Sequence, residues 1–197
     1  MLTFPNSGGG KPFIRLDGRT GTFSLSSPDG EAPDVFPMRE KVLVADIKRA
    51  EQGWLKLKDG VDWQLLDDAN DWGNPPSPDH NAAVQVDVYC ADWPEPQVRQ
   101  LRGSSRAVVG FVTRLDAAAL DAPEGKAIAV KIGGTRIAKM GKGSTAEVAF
   151  DVAPRDKWPD RAIFDEVAEA DDDAAPPPPP PAPPKSAWEG LEDTARL

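Results

Sequence analysis

At 197 residues, 40% of them hydrophobic, the chain can bury one core but hardly two, and 21 prolines set part of it apart from that core. One cysteine and one histidine exclude a disulfide framework and a His/Cys zinc cluster. A net charge of -9 argues against phosphate binding, yet the charge is unevenly spread: residues 1–97 carry 9 basic against 16 acidic side chains (-7), residues 98–142 carry 9 against 3 (+6), and residues 143–197 carry 5 against 13 (-8).

The opening "MLTFPNSGGGKPF" has no basic stretch followed by an apolar one, and no apolar run reaches the length of a membrane span, about 18 residues. The expectation is a soluble cytoplasmic protein with a flexible arm over residues 1–10. Short Val-, Ile- and Phe-rich runs then predict strands at "PFIRLD", "GTFSLS", "KVLVADI", "GWLKLK", "AVQVDVYC", "RAVVGFVTRL", "KAIAVKI" and "AEVAFDV". "GRTG" reads as a tight hairpin between Asp17 and Thr22. "DDANDWGNPPSPDHN" reads as a long surface loop, "GGTRIAKMGKGST" as a basic glycine-rich loop, and "DAAALDA" as a short helix capped by Asp116. About eight strands fit a small antiparallel barrel or sandwich over residues 11–162. The domain boundary is expected near Ile163. An acidic and proline-rich linker follows over 163–185, with polyproline II from Pro176 to Pro184, and a terminal peptide over 186–197.

The glycine-rich loop is not a phosphate-binding P-loop, because Lys142 is followed by Gly143 and Arg136 stands where the first glycine belongs. Strand alternation is more informative. In "PFIRLD", Phe13 and Arg15 oppose Ile14 and Leu16; in "GWLKLK", Trp54, Lys56 and Lys58 oppose Leu55 and Leu57. With the leucine and isoleucine faces turned to the core, an aromatic ring and a cation share the outside twice, the combination a single-strand binder uses to stack bases and follow the backbone. Ordinary solvated side chains would look the same. Arg102, Arg106, Lys131, Arg136, Lys139 and Lys142 add cations for phosphate contact.

Nothing points to an enzyme or a cofactor. His80 lies in the proline-rich loop, where no Ser-His-Asp arrangement can be assembled from sequence, and Asp67, Asp68 and Asp71 match no calcium loop. Cys90 follows Val84, Val86 and Val88 in alternation, which marks it as core. In the terminal "SAWEGLEDTARL", Ser186 and Glu189 form a capping-box pattern, and Trp188, Leu191 and Leu197 are the candidate anchors for a protein partner.

The segments "FIRLDGRTGTFSL", "VLVADIKRAEQGWLKLKDG", "SPDHNAAVQVDVY", "AVVGFVTRL", "KAIAVKIGGT" and "GKGST" with "VAFDV" resemble phage and prophage-type single-stranded DNA-binding proteins over most of the body. The resemblance implies an OB-type barrel with extra strands and a short helix, followed by a disordered tail. It also implies protection of single strands in replication or recombination, with the tail recruiting a replication or recombination protein. The tail departs from the usual bacterial pattern: the acidic "DEVAEADDD" precedes the prolines, and the chain ends in "TARL". The alternative is a β-rich interaction or assembly module working through the proline rod and terminal peptide. Self-association, and DNA against RNA, are left open by the sequence.

Overall fold

The computed structural model describes residues 12–26, 34–59, 62–66, 73–140 and 143–165. Ten strands and one α-helix occur among them: β1 (Phe13–Leu16), β2 (Phe23–Leu25), β3 (Asp34–Phe36), β4 (Val42–Ala45), β5 (Glu51–Lys56), β6 (Asp62–Leu65), β7 (Asn81–Tyr89), β8 (Val98–Gly103), α1 (Arg106–Ala118), β9 (Ile128–Met140) and β10 (Gly143–Val152). The fold is mainly β, a single strongly curled sheet that forms a half-barrel around one helix.

The sheet runs β10-β9-β4-β7-β8-β1-β2-β3, with β6 attached through β5. β4 and β5 act as one strand interrupted by a 3-10 turn at Ile47–Arg49: Val44 faces Tyr89, and after the interruption Glu51 faces Gln85 on the same antiparallel partner. The order β10-β9-β4/β5-β7-β8, with α1 between β8 and β9, has the connectivity of an OB-type barrel. The closing pair differs, because β8 gives its second edge to β1, which runs parallel to it with Phe13 beside Gln100 and Ile14 beside Leu101.

The hairpin expected at "GRTG" is present. Asp17 and Thr22 are linked by an N–H···O bond of 2.9 Å, and the Asp17 carboxylate accepts from the backbone N–H groups of Arg19 and Thr20, which holds its pKa below the ordinary value. Gly21 sits at φ +71°, and a Cβ there would lie 2.3 Å from Thr135 Cγ2, so this turn presses on the root of the β9–β10 hairpin. Ala146 N–H also donates to Gly18 O at 2.9 Å, bridging the seam that the sheet leaves open.

Three expectations are corrected. "RAVVGFVTRL" is helix, not strand: its valines suggest β structure, but the buried positions Ala107, Val108, Phe111, Val112 and Leu115 follow the helical period, and Ser105 Oγ accepts from Val108 N–H as N-cap. No separate helix capped by Asp116 starts at "DAAALDA": Asp116–Ala118 are the last residues of α1, whose N-cap is Ser105, and the remainder is turn. Within "GGTRIAKMGKGST", residues 133–140 and 143–145 are not loop but the distal part of a β9–β10 ribbon in which Gly133 and Gly134 together oppose Ala149, a bulge that redirects the ribbon.

The core fills the concave side. Ile14, Leu16, Phe23, Leu25, Val86, Leu101 and Val130 pack there against α1, and Phe111 meets Phe23 and Phe150 edge-on with ring centroids 6.0 and 5.7 Å away. Cys90 is buried as expected, and burial pushes its thiol pKa up. The body extends just beyond the expected boundary at Ile163. Trp158 and Phe164 are each 2% exposed, and Arg49 pairs with the carboxylate of Asp165. The arm of residues 1–10 and the tail from residue 166 lie outside the described residues.

Candidate nucleic-acid interface

Pairing registers decide which side chains share a face of the sheet. Phe13 stands beside Gln100, Gln100 beside Asp87, Arg102 beside Gln85, and Gln85 beside Glu51. By alternation Arg15 belongs to the same outer face, one register step along from Ile14–Leu101 and thus next to Arg102. The structure therefore brings Phe13 and Arg15 of β1 together with Arg102, far from them in sequence, on the side of the sheet away from α1. Phe13 is 41% exposed, while Ile14 and Leu16 are buried beneath it as the alternation predicts. Its backbone is fixed: Phe13 N–H donates to Ser26 Oγ at 3.0 Å, and its carbonyl accepts from Ser26 Oγ at 2.7 Å and Ser26 N–H at 3.0 Å.

Trp54 and Lys56 are not part of this face. The pairs Glu51–Gln85 and Gly53–Ala83 place residues 51, 53 and 55 with Phe13, and so Trp54 and Lys56 on the other side. The expectation of one shared face fails because Leu55, although buried, is not part of the main core and stands opposite Trp63 in the β5–β6 pair. Lys58 is 3.7 Å from Asp79.

The cations of the basic segment are also divided. Lys131 pairs with Glu40 at 2.5 Å, a hydrogen-bonded contact that raises the lysine pKa, and Arg136 pairs with Glu147 at 2.6 Å. Arg106 is exposed at the start of α1, and Lys139 is exposed on the β9–β10 ribbon. Lys142 and the anchors Trp188, Leu191 and Leu197 lie outside the described residues.

One aromatic residue of this face escaped the sequence reading. Trp63 on β6 carries the Arg102 guanidinium over its ring, 5.5 Å from the centroid. Asp59-Gly60 is a hairpin signal that could have revealed β6, and Asp59 has the expected positive φ of 61°. Arg102 also donates to Gln100 Oε1 at 2.5 Å, and burial lowers its pKa with Glu51 opposing. Gln85 Nε2 donates to Glu51 Oε2 at 2.7 Å. Three buried polar atoms in this cluster have no hydrogen-bond partner among the described residues: Trp63 Nε1, Arg102 Nε and Gln85 Oε1.

Gly53 is what lets β6 close over this region. A Cβ there would fall 2.3 Å from the Gln64 carbonyl oxygen and 3.2 Å from Trp63 Cζ2. Gly53→Ala should therefore detach β6 while β5 stays on β7. Hydrogen exchange should accelerate at residues 62–65 and stay slow at Val84–Val88.

β6 is braced from the loop before β7. His80, 8% exposed, has Nε2 3.1 Å from Asp62 Oδ2 and Nδ1 2.8 Å from Ser77 Oγ. This is a Ser-His-Asp contact set that the sequence did not disclose. Its carboxylate is half exposed, its serine also accepts from Asp79 N–H, and Ser77 and His80 close one turn. These features suit a brace and not an activated nucleophile.

No group of three or more potential metal ligands occurs among the described residues, and no helix among them is long and apolar enough to cross a membrane. No family model, curated protein or solved structure matches the chain.

Proposed function

We propose that the protein is a non-enzymatic binder of single-stranded DNA, acting in replication or recombination of the phage type, with its tail available to a partner protein. The observation that carries this reading is the convergence of Phe13, Arg15 and Arg102 on one outer face of a curled sheet. Phe13 presents an exposed ring on a fixed backbone for base stacking, and Arg15 offers a cation to phosphate beside it. The connectivity supports the same reading, since β7 and β8 correspond to the two strands whose outer face binds oligonucleotides in OB-type barrels. Glu51 and Asp87 lie on the β7 side of the face and repel phosphate, which leaves the β1 side as the track for the backbone.

A second reading draws on Val35 and Leu65, 67% and 53% exposed: a protein-docking face would use such apolar side chains. Anisotropy titration of a labelled single strand, with duplex as control, separates the two. Phe13→Ala should weaken single-strand binding about tenfold, the loss expected from one stacked base. Arg15→Gln should lower the slope of log affinity against log salt by about 0.7. If Phe13→Ala binds as tightly as the wild type, this face is not the binding surface.

A further inference from the structure

We infer that Trp63 occupies, in the free protein, the stacking position on Arg102 that a base of the bound strand takes, so that β6 is a gate on the interface. This inference rests on the single-strand reading above. Four observations converge on it. The guanidinium of Arg102, among the described residues the one cation of the face that lies between Phe13 and β6, is already covered by the Trp63 ring at 5.5 Å. The closed arrangement leaves Trp63 Nε1, Arg102 Nε and Gln85 Oε1 buried and without hydrogen-bond partners. Among the described residues β6 pairs with one strand, β5, and its further tie, His80 to Asp62, comes from the loop before β7, so it can leave without disturbing the β7–β8 pair beneath the face. Its close fit also depends on the bare backbone of Gly53.

The exchange satisfies the chemistry of all three stranded atoms. When Trp63 swings outward, its indole N–H reaches water. The uncovered guanidinium then offers a flat cationic surface, on which a nucleobase stacks as the indole did. Each of the common bases carries a hydrogen-bond donor on an edge, which can reach Gln85 Oε1, while the Arg102 Nε–H, lying in the plane of the guanidinium and so not under the stacked base, is left to a phosphate of the same strand or to water. Binding thus replaces an internal Trp–Arg stack with a base–Arg stack. Phe13, at the other end of the row, needs no such opening, because its ring is already exposed.

The gate gives Trp63 the opposite sign from a stacking platform. Trp63→Ala should bind a labelled oligothymidylate about three- to tenfold more tightly than wild type, mainly through faster association, because no internal cation–π contact has to be broken. Gly53→Ala, which unseats β6 and keeps the indole, should shift affinity the same way and guards against a packing defect peculiar to the first variant. In the wild-type complex, the Trp63 indole N–H resonance, assigned by its loss in Trp63→Phe, should pass from slow to fast exchange with water. Weaker or unchanged binding by Trp63→Ala and Gly53→Ala overturns the gate while leaving the interface intact. Absence of strand binding by the wild type would be seen before any variant is made and would remove the interface reading itself.

Discussion

Phe111→Ala should lower the free energy of unfolding by about 3–5 kcal/mol, the largest effect expected from any single core truncation in the body. The ring has no exposed surface and lies between Phe23 of β2 and Phe150 of β10, strands at or near opposite ends of the sheet path that it links edge-on through α1. Among the described residues the half-barrel has no continuous hydrogen-bonded ring to hold its ends together. Removing this ring opens a cavity and loosens the curl at the same time. For a body of this size each kcal/mol moves the melting temperature by about 2–4 °C, so a fall of roughly 6–20 °C is expected by calorimetry. A shift below a few degrees would mean that the seam contacts, Ala146 to Gly18 among them, hold the barrel without the helix.

The second large effect belongs to Arg161. Asp46, whose side chain is 1% exposed, sits at the interruption between β4 and β5 with Arg161 Nε 2.8 Å from one carboxylate oxygen and Nη2 3.4 Å from the other. Arg49 stands farther off, at 3.6 Å. Arg161→Met keeps the apolar stem and leaves the carboxylate buried beside one distant cation, which should cost about 3–5 kcal/mol, since breaking a buried pair strands a charge. The double variant Arg161→Met, Asp46→Leu should recover most of that loss, because replacing both partners by apolar groups is often neutral. Urea unfolding of the wild type, the two single variants Arg161→Met and Asp46→Leu, and the double variant gives the cycle. If the single variant is as stable as the wild type, the pair does not anchor the segment that carries Phe164.

The parts of the fold written in local patterns were legible in the sequence. β1 and β2 declare themselves through alternation and the turn residues between them, and Phe13 and Arg15 were placed correctly on the outside by that alternation alone. Other parts depend on distant neighbours. β8 reads as polar, and its Arg99 is buried only because the carbonyls of Ser26 and Pro94 receive it. The valines of α1 mimic a strand until the spacing of the whole buried set is counted. The side on which Trp54 lies is fixed by the pairing of β5 with β7, and no pattern within "GWLKLK" contains that information. The meeting of Arg102 with Trp63 is likewise a product of register across four strands, β6, β5, β7 and β8.

The parallel pairing of β1 with β8 bears on how the chain reaches this state. β1, β2 and β3 are made first, but the edge that β1 completes does not exist until β7 and β8 have been added and paired. A three-stranded meander must therefore wait, with its apolar side uncovered, while the ends of a long loop are brought together, a step slowed by chain entropy. Refolding should accordingly be limited by the joining of these two halves of the sheet and not by formation of either, which makes β1, short as it is, the last piece of the barrel to lock.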